Sequence, residues 1–139
     1  MISKALVVGA AQRKAEELAK LPDVDLLVVT PPSWILEGRH DQLERQFTAG
    51  YRLVVEPIAF NGHFHVHFYP LLSRRFRQFR PDVVHVDEEA YNLATFQAVQ
   101  LARRYGARSL FFTWQNLDRR YPLPFSLMER AVFELSLIH

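Results

Sequence analysis

The chain has 139 residues, 49% of them hydrophobic and 23% charged, values ordinary for one folded domain and too apolar for disorder. It contains no cysteine, which excludes a disulfide framework, a thiolate nucleophile, a zinc knuckle and an iron–sulfur site. Seventeen basic residues against 15 acidic ones leave a formal net charge of +2, too balanced for a nucleic-acid footprint.

Residues 5–8 (Ala-Leu-Val-Val) form a continuous apolar run closed by Gly9, which predicts a strand buried on both faces. A helix is expected over 10–20, stopped by Pro22. A second buried strand spans 24–30 and ends at Pro31-Pro32, since proline cannot donate to a ladder. Residues 33–50 are polar and mixed, with a short helix over 41–47, and a third strand covers 52–58. Asn61-Gly62 is a hairpin turn signal. After it, 63–68 alternates, with His63, His65 and His67 on one face and Phe64, Val66 and Phe68 on the other. Pro70 suits the first turn of a helix running to 79, whose apolar stripe is Leu72, Phe76 and Phe79. A strand over 82–86 leads to a helix over 90–105, closed by Gly106 at the C′ position. A strand over 107–113, a loop over 114–124 and a helix from Pro124 to 139 complete the chain.

Buried strands alternating with amphipathic helices predict a single α/β domain over 1–139, with a mainly parallel sheet and helices on both faces. No window approaches the ~20 apolar residues of a membrane span. The start, Met1-Ile2-Ser3-Lys4, lacks the long apolar run of a signal peptide. The chain therefore reads as soluble and cytoplasmic. Its last helix stops without a cap, a glycine or a following strand, which predicts a piece of something longer.

In open α/β sheets, ligands bind beyond the carboxyl ends of the strands. That rule selects Gly9-Ala10-Ala11-Gln12, the loop from Thr30 to Trp34, Asp87-Glu88-Glu89, and Thr113-Trp114-Gln115-Asn116. Tryptophan faces beside carboxylates and amides suit a hydroxylated ligand such as a sugar. The competing reading places Glu88 and Glu89 at a helix N-terminus, where negative charge is favoured, with Asp87 as its N-cap. The first loop has only Gly9 where a dinucleotide fingerprint needs three glycines, and no Walker A pattern occurs. His63, His65 and His67 resemble part of a metal site. Same-face side chains on a strand stand ~7 Å apart, however, and the polar side of a hairpin explains them without a metal. Arg74, Arg75 and Arg77 would suit peripheral contact with anionic lipid, with Leu72, Phe76 and Phe79 dipping into the interface; the competing reading makes that stripe the core-facing side of an ordinary surface helix.

The stretch from Arg80-Pro81-Asp82 through His85 and Asp87-Glu88-Glu89, the helix from Leu93 to Tyr105, then Phe111-Phe112-Thr113-Trp114-Gln115-Asn116 and Arg120-Tyr121-Pro122, resembles family 4 glycosyltransferases. Pro31-Pro32-Ser33-Trp34 and the run from Phe64 to Tyr69 resemble one branch of the same family. The resemblance covers most of the chain and is to the N-terminal, acceptor-side half of these GT-B enzymes. It implies a Rossmann-like three-layer sandwich and retention of anomeric configuration, generally without a metal. The nucleotide-sugar donor and its binding glutamates are expected in a C-terminal half that lies outside this sequence, so no cofactor is expected here.

By this resemblance, His85, Asp87, Glu88, Glu89, Trp114, Gln115 and Asn116 are acceptor-binding candidates, and Gly9 and Ala10 are candidates for phosphate contact. Gln115 stands where many relatives have histidine, which favours hydrogen bonding over proton transfer. Gly9-Ala10-Ala11 replaces a more glycine-rich loop, and His85 matches the family's strand histidine. The implied partners are a sugar, polysaccharide or glycolipid acceptor and the donor domain, with peripheral membrane contact and homodimerisation through exposed apolar surface as further expectations. The alternative is a stand-alone α/β binding domain without catalysis.

Overall fold

The computed structural model describes residues 1–112 and 120–136. In chain order its regular elements are α1 (Arg13–Ala19), β1 (Leu27–Thr30), β2 (Ser33–Leu36), β3 (Arg39–Gln42), β4 (Arg52–Val55), α2 (Leu72–Phe79), β5 (Val83–Val86), α3 (Leu93–Arg104), β6 (Arg108–Phe111) and α4 (Phe125–Leu135). The chain is thus mixed α/β, with short parallel strand pairs and four helices among the described residues.

β1 pairs in parallel with β4, and β5 with β6. Residues 1–3 join the two pairs. The Ile2 N–H donates to His85 O at 2.8 Å and Ile2 O accepts the Asp87 N–H, while the Ser3 N–H donates to Val29 O and Met1 O accepts the Val29 N–H. The resulting order is β4, β1, residues 1–3, β5, β6. Strand order therefore reverses between residues 1–3 and β5.

The strand expected over 5–8 is corrected. Residues Ala5–Val7 and Gly9–Gln12 are two short 3-10 helices. Leu6 and Val7 are buried all the same, so their apolar pattern is satisfied without strand pairing. The expected helix over 10–20 shortens to α1. No helix forms over the expected 41–47: residues 41–42 end the second strand of a β2–β3 hairpin and 43–47 are irregular, and the hairpin's two-residue turn places Glu37 at φ 49° and Gly38 at φ 80°. Both turn residues lie in the left-handed region, as a type I′ hairpin turn requires.

Adjacent residues of β1 point to opposite faces. Val28 packs with Leu6 and Ala15, while Val29 joins the larger cluster of Ile2, Leu72, Phe76, Val84 and Val99. Leu72 and Phe76 are core residues, so the stripe on α2 serves the protein's own interior. The proposed dipping of these two side chains into a lipid interface is corrected accordingly. α3 ends as read: Gly106 sits at φ 74°, the Ala107 N–H reaches Ala102 O and the Gly106 N–H reaches Arg103 O, the double bond of a Schellman cap. α4 packs along α3. No helix among the described residues is long and apolar enough to cross a membrane.

Candidate functional site

A cleft of about 680 Å³ opens at the carboxyl ends of the parallel strands. Lys4, which follows residues 1–3, and Asp87, Glu88 and Glu89, which follow β5, line it, with Phe112 beyond β6. The two central segments are the ones between which strand order reverses, the position where an open α/β sheet leaves a crevice.

Glu88 forms the floor. Its side chain is fully buried, and Oε1 accepts the Lys4 backbone N–H at 2.9 Å while Oε2 is ion-paired with the Lys4 ammonium. Burial alone would raise the Glu88 pKa, but the Lys4 charge outweighs it and holds the carboxyl below its ordinary value. The Lys4 ammonium also lies over the rings of Phe64 at 4.3 Å and Trp34 at 5.2 Å, so aromatic faces replace part of its lost hydration.

His67 is fully buried behind this pair. Its Nδ1 faces two carbonyls, Phe64 O at 2.9 Å and His63 O at 3.2 Å. Carbonyls only accept, so Nδ1 carries the proton. Nε2 then points to Glu88 Oε2 at 3.7 Å, beyond hydrogen-bond reach. Tyr69 Oη is buried with no partner among the described residues. Burial, and secondarily the Glu88 charge, push its pKa well above the ordinary value, so it stays a neutral hydroxyl.

The rim carries the groups that face solvent. Asp87 Oδ2 accepts from Ser3 Oγ at 3.0 Å and pairs with the half-exposed Lys14 ammonium. His85 and Glu89 are half-buried beside it. Burial, only partly countered by Asp87, lowers the His85 pKa below its ordinary value, so the ring is neutral near pH ~7 and able to accept a hydrogen bond.

The structure therefore gathers His85, Asp87, Glu88 and Glu89 at one opening. It also corrects the helix-terminus reading of the three carboxylates. α3 begins at Leu93 with Asn92 as its N-cap, several residues later than expected, and Asp87 and Glu88 are held by lysines instead. Trp114, Gln115 and Asn116 lie outside the described residues.

Gly9 and Ala10 are not part of the cleft lining. The Gly9 N–H donates to Glu44 Oε2 at 3.1 Å, so the chain's own carboxylate occupies that donor. Ala10 is exposed on the 3-10 turn. Beneath this loop, Gln12 is fully buried and makes four bonds. Nε2 donates to Leu6 O and Glu44 O, and Oε1 accepts from the Gln46 and Phe47 N–H groups. One amide side chain thus ties residues 44–47 over the first loop.

The alternating histidine strand is also corrected. Residues 63–67 form a turn, with the His67 N–H on His63 O at 3.1 Å, and pairing in this region is reduced to one antiparallel bridge, Ala59 to Phe68. Asn61-Gly62 does make a turn, but Asn61 serves β2, accepting the Ile35 N–H and donating to Ser33. His63 is exposed, His67 is inside, and His65 packs against Tyr91 and Phe125. Among the described residues no group of three or more metal-ligating side chains converges. Trp34 is corrected from an exposed loop platform to a nearly buried residue of β2, edge-on to His67 at 4.9 Å.

Sequence reasoning missed Lys4, Lys14, Phe64 and His67 as parts of this site. The strand-end rule carried a usable signal for Lys4 alone, and only with the first strand placed at residues 1–3. Comparison of the chain with protein-family models, with curated proteins and with solved structures finds no match in any of the three. Function is accordingly argued from the site itself.

Proposed function

We propose that this chain is the acceptor-binding half of a retaining glycosyltransferase, a Rossmann-like three-layer half of a GT-B enzyme. The observation that supports this reading best is the position of the cleft, at the reversal of strand order and beyond the carboxyl ends of β5 and β6. Its rim offers two carboxylates, Asp87 and Glu89, and a neutral imidazole, His85. These are acceptors suited to orienting hydroxyl groups. The acceptor hydroxyl attacks the anomeric carbon of a nucleotide-sugar held by a second half, on the same face from which the nucleoside diphosphate leaves, and the hydroxyl proton passes to the departing phosphate oxygen. This half contributes positioning. Glu88, locked to Lys4, shapes the floor and does not take the proton.

A second reading, a binding domain without catalysis, is favoured by one observation. The Gly9 N–H, the donor expected to meet phosphate, is already bonded to Glu44. Calorimetric titration separates the two halves of the enzyme reading. Simple glycosides are expected to bind saturably and nucleotide-sugars to give no heat, and Asp87→Asn is expected to weaken the glycoside. Tight nucleotide-sugar binding would place the donor on this half and overturn the assignment. Turnover by this chain alone, with nucleotide-sugar and acceptor, would do the same.

A further inference from the structure

The cleft is not lined like a pocket for a bare sugar. Four large apolar side chains stand exposed around it, Val8 at 39%, Leu36 at 42%, Phe64 at 38% and Phe112 at 46%. They come from four separate segments: the 3-10 turns, the β2–β3 hairpin, the turn before α2 and the end of β6. Chains bury such side chains where the fold allows, and a convergent apolar patch at a cleft marks a binding surface. The polar rim groups Asp87, Lys14 and His85 line the same opening. A volume of about 680 Å³ falls in the range that encloses drug-sized ligands, ~300–1,000 Å³.

We infer that the ligand of this cleft is amphiphilic: a hydroxylated head held at the His85–Asp87–Glu89 rim and an apolar tail, alkyl, isoprenoid or aryl, lying against Val8, Leu36 and Phe64. The inference rests on the acceptor-site reading and narrows it from glycosides in general to glycosides carrying an apolar aglycone. The rim supplies acceptors for hydroxyls, and the exposed apolar walls supply the area that a tail removes from water. Tail burial adds about fourfold in affinity per methylene until the wall is covered.

The test is a titration with methyl, butyl and octyl glycosides of glucose, galactose and mannose, each below its micelle-forming concentration, with octanol as the headless control. Affinity is read by calorimetry and location by amide NMR shifts at Val8, Leu36 and Asp87. The expected result is a Kd that falls steeply with chain length for at least one sugar, octanol binding at least tenfold more weakly than that octyl glycoside, and shifts at all three residues. Leu36→Ser, on the exposed hairpin, is expected to flatten the chain-length dependence. Phe64→Leu, which keeps an apolar wall, is expected to preserve it.

A methyl glycoside that binds as tightly as its octyl counterpart would overturn the amphiphile while leaving the sugar site standing. Octanol binding equal to the octyl glycosides would overturn the sugar reading and the amphiphile with it. No binding of any octyl glycoside, or a dimer in sedimentation that octyl glycoside leaves intact and that hides Leu36, would also overturn it.

Discussion

Removing the ammonium of Lys4 is the sharpest perturbation of the cleft floor. In Lys4→Met the Glu88 carboxylate keeps the backbone N–H of residue 4 but loses its counter-ion inside a fully buried site. Breaking a buried pair from one side costs about 3–5 kcal/mol, because a charge is left without compensation. That is a large part of the ~5–15 kcal/mol that holds a domain together. Glu88→Gln should cost a similar amount by stranding the ammonium. The double variant Lys4→Met/Glu88→Gln should lose less than the sum of the two by about 3 kcal/mol, since neither charge remains. The assay is urea unfolding of all four proteins at several pH values.

The pH dependence gives the sign. In the wild type the Glu88 pKa is lowered, so its contribution is fully present above the unfolded-state value and is lost only as pH falls through the lower folded-state value. In Lys4→Met the burial effect is no longer outweighed, and the folded-state pKa rises above the unfolded one. The variant then recovers stability relative to wild type as the pH falls from the raised folded-state value toward the unfolded-state one, by up to ~1.4 kcal/mol per pH unit. Subtracting the wild-type curve removes the contributions of the other titrating groups. A loss below about 1 kcal/mol, or a deficit that grows on acidification, would refute the ion-pair account.

Gln12→Ala should cost about 1–3 kcal/mol, since it removes the partner of the buried Leu6 carbonyl and of the partly buried Glu44 carbonyl and Gln46 and Phe47 N–H groups, and hydrogen exchange at the Gln46 and Phe47 amides should accelerate selectively. In Gly9→Ala the new Cβ falls 2.5 Å from Gln46 Cγ. The flexible Gln46 side chain must swing away from Glu44, for a loss of ~1 kcal/mol, and thermal unfolding should show that loss abolished in a Gln46→Ala background. His85 should titrate by NMR with a midpoint below ~6.5, because burial lowers it. Its contribution to stability is present above the unfolded value and fades as pH falls through the folded one, so a midpoint above that of an unfolded peptide would contradict the burial.

The second half of the chain was readable because its signals agree with one another. The apolar stripe of α3, the run that forms β5 and the glycine that closes the helix all specify one local structure, and tertiary packing overrides none of them. The first half was harder for definite reasons. Leu6 and Val7 are apolar because they are buried, while Ala5 and Val8 beside them are exposed, and burial alone does not distinguish a strand from a 3-10 turn lying against the sheet. The β2–β3 hairpin turns on Glu37-Gly38, without the Asn-Gly signal that announces such a turn. His63 to Phe68 spans too few residues to separate alternation from a single turn, in which His63 and His67 come together four residues apart. The strand-end rule found Asp87, Glu88 and Glu89 without coordinates. The lysine partner of Glu88, Lys4, is 84 positions away, and only the pairing of residues 1–3 beside β5 brings the two together.

The most direct test of the account is an amide NMR titration of this chain with an alkyl glycoside, followed residue by residue. The account predicts saturable shifts that cluster at Lys14, His85, Asp87 and Glu89, and that collapse in Asp87→Asn. Saturable shifts confined to α4 or to the outer face of α2, with the cleft residues silent, would contradict it.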